Sequence, residues 1–174
     1  TVAALLWVYL GIQKGQVTQD GLTGLNNRRR LDQYMWELDE RSGERETCCY
    51  LLMDVNKFKK VNDTYGHVTG DEVLRLVAEQ LKRTFGNMQA FLARYGGDEF
   101  VVIVKGKTQD EMDVIIHQTQ ENVNAIAWGA DTPWQLSISI GCAMRGEQGK
   151  QKSHELLALA DERMYRQKKG IQDR

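Results

Sequence analysis

The sequence predicts an α+β fold, a single mostly antiparallel sheet with helices over its faces. Three observations carry that expectation. Apolar residues recur at helical spacing in four segments, short apolar or alternating runs of strand length lie between them, and a Gly-Gly pair joins two of those runs into a hairpin. In chain order the elements read helix, strand, helix, paired strands, helix, strand, helix. With 174 residues, 41% of them apolar and 27% charged, the chain supports one sizeable core and is short for two.

Each element has its own warrant. Val2 to Leu10 is an apolar run ending at Gly11, too short for a bilayer, which needs about 20 residues. No basic region precedes it, so it is not a signal peptide. Two readings stay open for it: the trailing end of a membrane helix or stalk, or a helix packed on its own domain or on a second copy. Residues 1–19 are therefore set apart as a leader, and residues 20–174 as one domain. Asp20-Gly21-Leu22-Thr23-Gly24-Leu25-Asn26-Asn27 is too rich in Gly and Asn for a regular element. It opens a helix from Arg28 to Asp39 with Leu31, Tyr34, Met35 and Leu38 on one face. Arg28, Arg29 and Arg30 suit either phosphate or solvent.

Cys48 to Met53 is almost wholly apolar and of central-strand length, ending in Asp54. Cys48, Cys49 and Cys142 lack CxxC spacing and are read as reduced core thiols. A helix starts at Asp71, carries Val73, Leu74, Val77, Ala78 and Leu81, and stops at Phe85-Gly86. Thr108 is the N-cap of a helix reaching to about Trp128, with Met112, Ile115, Ile116, Thr119 and Val123 inward. After Pro133, the alternation of Leu136, Ile138 and Ile140 marks a strand from Trp134 to Ala143. Ser153 opens the last helix, which carries Leu156, Leu157, Leu159, Ala160, Met164 and Tyr165.

Two stretches hold the chemistry. Arg94-Tyr95-Gly96-Gly97-Asp98-Glu99-Phe100 joins the runs Gln89 to Arg94 and Phe100 to Val104, as expected of a tight turn with positive φ. Two adjacent acids beyond two glycines suggest a backbone that approaches a ligand while a carboxylate holds a cation. The second stretch, Val55 to Asp71, is too polar for packing to explain. If the hairpin lies beside the first strand, Asp54 and Asp98 converge, and one or two carboxylates with a backbone carbonyl and substrate phosphates make a Mg²⁺ site. Lys59 offers a point charge to phosphate, Arg94 a forked contact, and the amides from Asn56 to Lys59 a cradle. Asn62 and Asp71 suit guanine, whose two N–H donors a carboxylate accepts together. His67 alone is an ordinary structural hydrogen-bonder. No P-loop sequence and no zinc-ligand spacing of the histidines exists, and a net charge of −1 gives no case for nucleic acid or an acidic membrane.

These residues resemble the GGDEF family of diguanylate cyclases. Arg94 to Phe100 matches the signature without substitution. Asp54-x-Asn56-x-Phe58-Lys59-x-x-Asn62-Asp63-x-x-Gly66-His67-x-x-Gly70-Asp71 resembles the second motif and Asp20-x-Leu22-Thr23-x-Leu25-x-Asn27-Arg28-Arg29 the opening one. Ser139-x-Gly141 and Ala160-Asp161-x-x-Met164-Tyr165-x-x-Lys168 complete the set. The resemblance implies a palm-like sheet similar to adenylyl cyclase catalytic domains. It implies condensation of two GTP into cyclic di-GMP with release of two pyrophosphates, one GTP per domain across a homodimer. It implies Mg²⁺, two ions per site with Mn²⁺ as the alternative, on Asp54, the Val55 carbonyl, Asp98 and Glu99. Asp98 takes the place of the proton acceptor, and Glu99 that of a second metal ligand or its orienter. Asn62, His67 and Asp71 fall at the base, and Phe58, Lys59, Arg94, Gly96 and Lys168 along the nucleotide, with Lys168 on the phosphates. The setting it implies is a bacterial cytoplasmic domain, tethered to the inner membrane if the leader ends a membrane helix.

Three positions depart from the family pattern. Asn87-Met88-Gln89-Ala90 stands where many members carry the Arg-x-x-Asp of an inhibitory product site, which is expected to be absent. Asn56 replaces a frequent aspartate, and Gln172 a frequent basic residue. The rival reading is a catalytically silent domain that binds GTP or cyclic di-GMP; a cyclase for another purine dinucleotide is disfavoured by Asp71.

Overall fold

A computed structural model describes residues 18–41, 47–129, 135–145 and 151–172, with side chains up to 170. The elements are α1 (Arg28–Glu40), β1 (Cys48–Val55), α2 (Phe58–Tyr65), α3 (His67–Phe85), β2 (Ala90–Arg94), β3 (Glu99–Lys105), α4 (Gln109–Asn124), β4 (Ile138–Met144) and α5 (Ser153–Gln172). The strands form one sheet in the order β2-β3-β1-β4, every pair antiparallel. The predicted α+β architecture is thus observed; the leader, residues 1–17 in particular, lies outside the described residues.

β1 is buried at every position because it is central and covered on both sides. Its side chains alternate between two cores. Cys49, Leu51, Met53 and Val55 join Phe100, Val102 and Val104 of β3 beneath α2, α3 and α4. Cys48, Tyr50 and Leu52 join Val101 and Ile103 beneath α1 and α5. Cys48, Cys49 and Cys142 are buried thiols, none of them in a disulfide. Asp54 has the parity of Leu52, which sends it to the α5 side, and pairs directly with Glu99 across the sheet. That register decides where the charge collects.

The helix ends follow local chemistry. Asn27 caps α1 by accepting from the Arg30 amide, and Thr108 with Glu111 forms a capping box on α4. A buried network ties α1 to α5: Asp39 accepts from Arg145 (2.7 Å) and from the Ser153 amide and hydroxyl, and Tyr50 shares a hydrogen bond with Ser153.

Several sequence expectations need correction. The polar stretch after Asp54 contains a helix, α2, because Phe58, Val61 and Tyr65 at i, i+3 and i+7 suffice to pack it on the core. α3 begins at His67, four positions before Asp71. β1 runs on to Val55, so Asp54 lies within it rather than beyond it. α4 stops at Asn124, and β4 starts at Ile138. Tyr165 is 55% exposed rather than inward. Gly96 and Gly97 do not take positive φ, which among the described residues falls at Lys57, Gly24, Gly66 and Gly106. The signature turn is a four-residue connection, closed by Tyr95 and Gly96 amides donating to the Glu99 carbonyl. A Cβ at Gly96 would stand 2.4 Å from Glu99 Oε2, so a side chain there would oblige the Glu99 carboxylate to move.

Gly141 of β4 is the closest approach of sheet and helix. A Cβ there would stand 1.8 Å from the Ala160 carbonyl oxygen and 2.4 Å from the Met164 nitrogen, both backbone atoms of α5. Gly141→Ala is therefore expected to destabilise the domain by about 1–3 kcal/mol, the usual cost of overpacking. Thermal denaturation checks this, and an unchanged midpoint would show that α5 can shift freely on β4.

Candidate functional site

The site forms where β1, the β2–β3 connection and α5 meet. Asp54 is 7% exposed, and its Oδ1 accepts from Lys168 Nζ at 2.6 Å. Glu99 stands opposite it in β3, an arrangement of like charges that opposes strand pairing unless a cation intervenes. Val55 donates to the Asp98 carbonyl (3.2 Å), so its own carbonyl faces the same side, toward the signature turn.

The charges of these groups act on one another. Burial first, then the Asp54 charge, pushes the Asp98 carboxyl above its ordinary value, with Lys168 and Arg94 only partly offsetting the rise. Burial, Asp54, Asp98 and Asp161 push Glu99 up in the same way. The carboxylates therefore form a crowded, partly desolvated patch of negative charge, the environment that a cation relieves. Among the described residues no three His, Cys, Asp or Glu side chains are spaced to hold a metal ion unaided. Nucleotide-bound Mg²⁺ asks for less, one or two carboxylates with phosphate oxygens and water. Asp54, Asp98, Glu99 and the Val55 carbonyl fit that smaller donor set.

Next to the carboxylates, β1 turns into α2 through Lys57, whose φ of 58° is left-handed. Such a conformation costs a non-glycine residue about 1–3 kcal/mol, and strain of this kind collects at functional sites. α2 has no side-chain hydrogen bond at its N-cap, an arrangement that can serve an anion. Lys59 is exposed on its first turn. Further along, Asn62 Oδ1 is buried with no hydrogen-bond partner. It lies over Gly70, where a Cβ would stand 1.9 Å from it and 3.3 Å from the Phe58 ring. An orphaned buried acceptor calls for a donor. His67 and Asp71 are exposed on the first turns of α3.

Arg94 has an occupation the sequence did not reveal. Its Nη1 spans both oxygens of Asp20 at 3.2 Å, and its Nη2 and Nε donate to the Gly97 carbonyl at 2.7 and 3.2 Å. It thereby braces the signature turn against the opening turn. Burial works to raise the Asp20 carboxyl, but hydrogen bonds from Thr23 and the charge and hydrogen bonds of Arg94 outweigh it and hold the group low. Arg28 stacks on Tyr95 at 4.5 Å, and Arg30 pairs with Glu37, so two of the three arginines have protein partners. Asn56 is spent on β4, donating to Ser137 Oγ and accepting from Ser139 Oγ. The side chain of Gln172 lies outside the described residues. Asp161 was missed as a contributor of charge, although its place one turn before Tyr165 in the last motif was the available signal.

Raised carboxyls oppose folding when ionised. Stability of the cation-free protein is expected to fall as pH rises from the ordinary carboxylate range through the raised values of Asp98 and Glu99. Asp98→Asn should flatten that dependence and melt higher at neutral pH in chelator, by roughly 2–4 °C for each kcal/mol of repulsion removed. A lower melting point for this variant would mean that Asp98 is held by favourable contacts instead.

Comparison with known proteins identifies the chain's relatives. Residues 17–174 match the family described as diguanylate cyclase, GGDEF domain. The probable diguanylate cyclase DgcI of Escherichia coli K12 is 38% identical over 156 residues, 87% of this chain and 31% of that protein. Diguanylate cyclase DosC of the same strain is 34% identical over 161 residues, covering 88% and 34%. The chain thus spans about a third of the length of these curated relatives. The crystal structure of the GGDEF domain of DgcB from Caulobacter crescentus, in complex with c-di-GMP, superposes with a TM-score of 0.78 at 30% identity, covering 89% and 92% of the two chains. The GGDEF domain of FimX from Pseudomonas aeruginosa, at 22% identity and a TM-score of 0.80, covering 88% of this chain and 94% of that one, shares the same palm-like fold. With its signature, its fold and its matching relatives in agreement, this chain belongs to the GGDEF-domain family of diguanylate cyclases.

Proposed function

We propose that the domain condenses two GTP into cyclic di-GMP with release of two pyrophosphates, each of two facing copies presenting one GTP. The pairing of Asp54 with Glu99 on adjacent strands, with Asp98 the next residue along and Lys168 drawn in as counter-charge, carries the reading. Mg²⁺, or Mn²⁺ in its place, would be held by Asp54, the Val55 carbonyl, Asp98 and Glu99 together with the substrate's phosphates. The ion supplies charge neutralisation on the triphosphate and lowers the pKa of the attacking hydroxyl.

The chain's own groups do the rest. Asp98, its carboxyl raised above the ordinary value by burial and by Asp54, is suited to accept the 3′-hydroxyl proton. Lys168, held by Asp54 in the free domain, would reach the phosphate oxygens of a bound nucleotide. The uncapped amides at the start of α2 and the Lys59 ammonium take further phosphate charge. Asp71 accepts from the two N–H donors of guanine, and the orphaned Asn62 Oδ1 takes a donor from the same base. Phe58 and Gly96 border the nucleotide, and His67 stands beside the base. Arg94 keeps the turn in place and reaches the nucleotide if its hold on Asp20 loosens. Two copies must face each other because one domain binds only one of the two reacting nucleotides, and catalysis is then mostly positioning. The DgcB domain's complex with c-di-GMP supports the product class. No helix among the described residues is long and apolar enough to cross a membrane, so any tether is proposed for the region upstream.

Incubating the protein with Mg²⁺ and GTP and resolving the products by chromatography is expected to yield cyclic di-GMP and pyrophosphate. Asp98→Asn should lower turnover at least ~10³-fold while leaving the fold intact. GTP bound but unreacted would favour the silent reading, and unchanged turnover in the variant would refute the role of Asp98.

Asn87 to Gln89 occupies the bend before β2 and Ala90 opens that strand, and the four offer no guanidinium or carboxylate to a bound product. Added cyclic di-GMP is expected to inhibit only by competing with GTP. Strong non-competitive inhibition in initial-rate kinetics would show that a separate product site exists.

A further inference from the structure

β4 is the open edge of the sheet among the described residues, and its outward backbone groups are met by side chains instead of a neighbouring strand. Asn56 donates to the Ser137 carbonyl, so odd-numbered residues of β4 face β1 and even-numbered ones face outward. Three outward groups have side-chain partners. Gln120 of α4 donates to the Ile138 carbonyl at 3.2 Å, Arg163 of α5 donates to the Cys142 carbonyl at 2.6 Å, and Gln167 of α5 accepts from the Ile140 amide at 2.6 Å.

The Gln167 bond does more than close an edge. Its neighbour Lys168 reaches over the sheet to Asp54 of β1, the next strand in. Consecutive helical residues differ by about 100° in direction, so a bond that fixes the rotation of α5 at 167 also fixes where 168 points. Gly141 lets α5 lie close on β4, and buried Leu156, Leu157, Ala160 and Met164 choose the face it turns to the sheet, while Gln167 is the polar tie next to Lys168. A lysine with its long, freely rotating stem is poorly directed by that stem alone. We infer that Gln167 is the positioning residue for Lys168, holding α5 in the rotation that brings the ammonium to Asp54 and, on the proposed function, to the triphosphate.

The test is a double-mutant cycle on binding of a GTP analogue with a methylene bridge between the α and β phosphates, measured by calorimetry with Mg²⁺. Lys168→Met is expected to weaken binding about tenfold, the worth of one charge-assisted hydrogen bond. Gln167→Met, of similar length but without an acceptor, should weaken it about fivefold and add nothing in the double variant. Gln167→Glu, which keeps the acceptor, should bind within about twofold of the parent. A purely structural Gln167 would show additive losses at 167 and 168, or none at 167, and either result overturns the inference while leaving the nucleotide site standing. Unaltered binding in Lys168→Met overturns both the inference and the phosphate role of Lys168.

Discussion

The antiparallel pairing of β1 with β3 places Asp54 directly opposite Glu99, with Asp98 one residue away. Everything else at this end of the domain answers that concentration of negative charge. Hydrogen bonds along the two strands fix the spacing, and the apolar side chains on both sides of β1 make a shift of register costly, since a slip by one residue would carry every side chain to the wrong core. The carboxylates cannot separate. Their mutual repulsion is a stored preference for a cation, met in part by Lys168 and, in the proposed reaction, met in full by a divalent ion that arrives with a nucleotide.

The periphery then forms a set of braces around that cluster. Arg94 joins the signature turn to Asp20 of the opening turn, so two segments 74 positions apart move together. Asn56, just past β1, ties to Ser137 before β4 and to Ser139 within it, and Gly141 lets α5 lie against the same strand. Lys57 holds a left-handed backbone between the carboxylates and α2, and α2 leaves its amides uncapped. Lys57 is itself the N-cap of α2, so one residue carries both features, and a domain selected for stability alone would place glycine there.

Much of this was legible in the residues. Burial on two faces makes β1 a continuous apolar run, and the 3.6-residue periodicity of α1, α3 and α5 comes from packing each on one face of the sheet. α2 was obscured because its three apolar anchors are spread among lysines, asparagines and an aspartate that serve other ends. The conformation of Gly96 and Gly97 was misread because a Gly-Gly pair has two uses, positive φ and close approach, and composition does not separate them. Arg94, Asn56 and Gln167 have partners 74, 81 and 27 positions away, which no local pattern encodes. The candidate ligands could be named from the signature; the ion pair between Lys168 and Asp54 could not.

The central claim is that the carboxylate cluster is an incomplete cation site finished by the nucleotide. Titrating Mn²⁺ into the protein by electron paramagnetic resonance, with and without the methylene-bridged GTP analogue, tests it most directly. Binding to the protein alone is expected to be weak, to tighten at least ~10-fold with the analogue, and to be lost in Asp54→Asn. Equal Mn²⁺ affinity with and without the analogue, or affinity indifferent to Asp54, would contradict it.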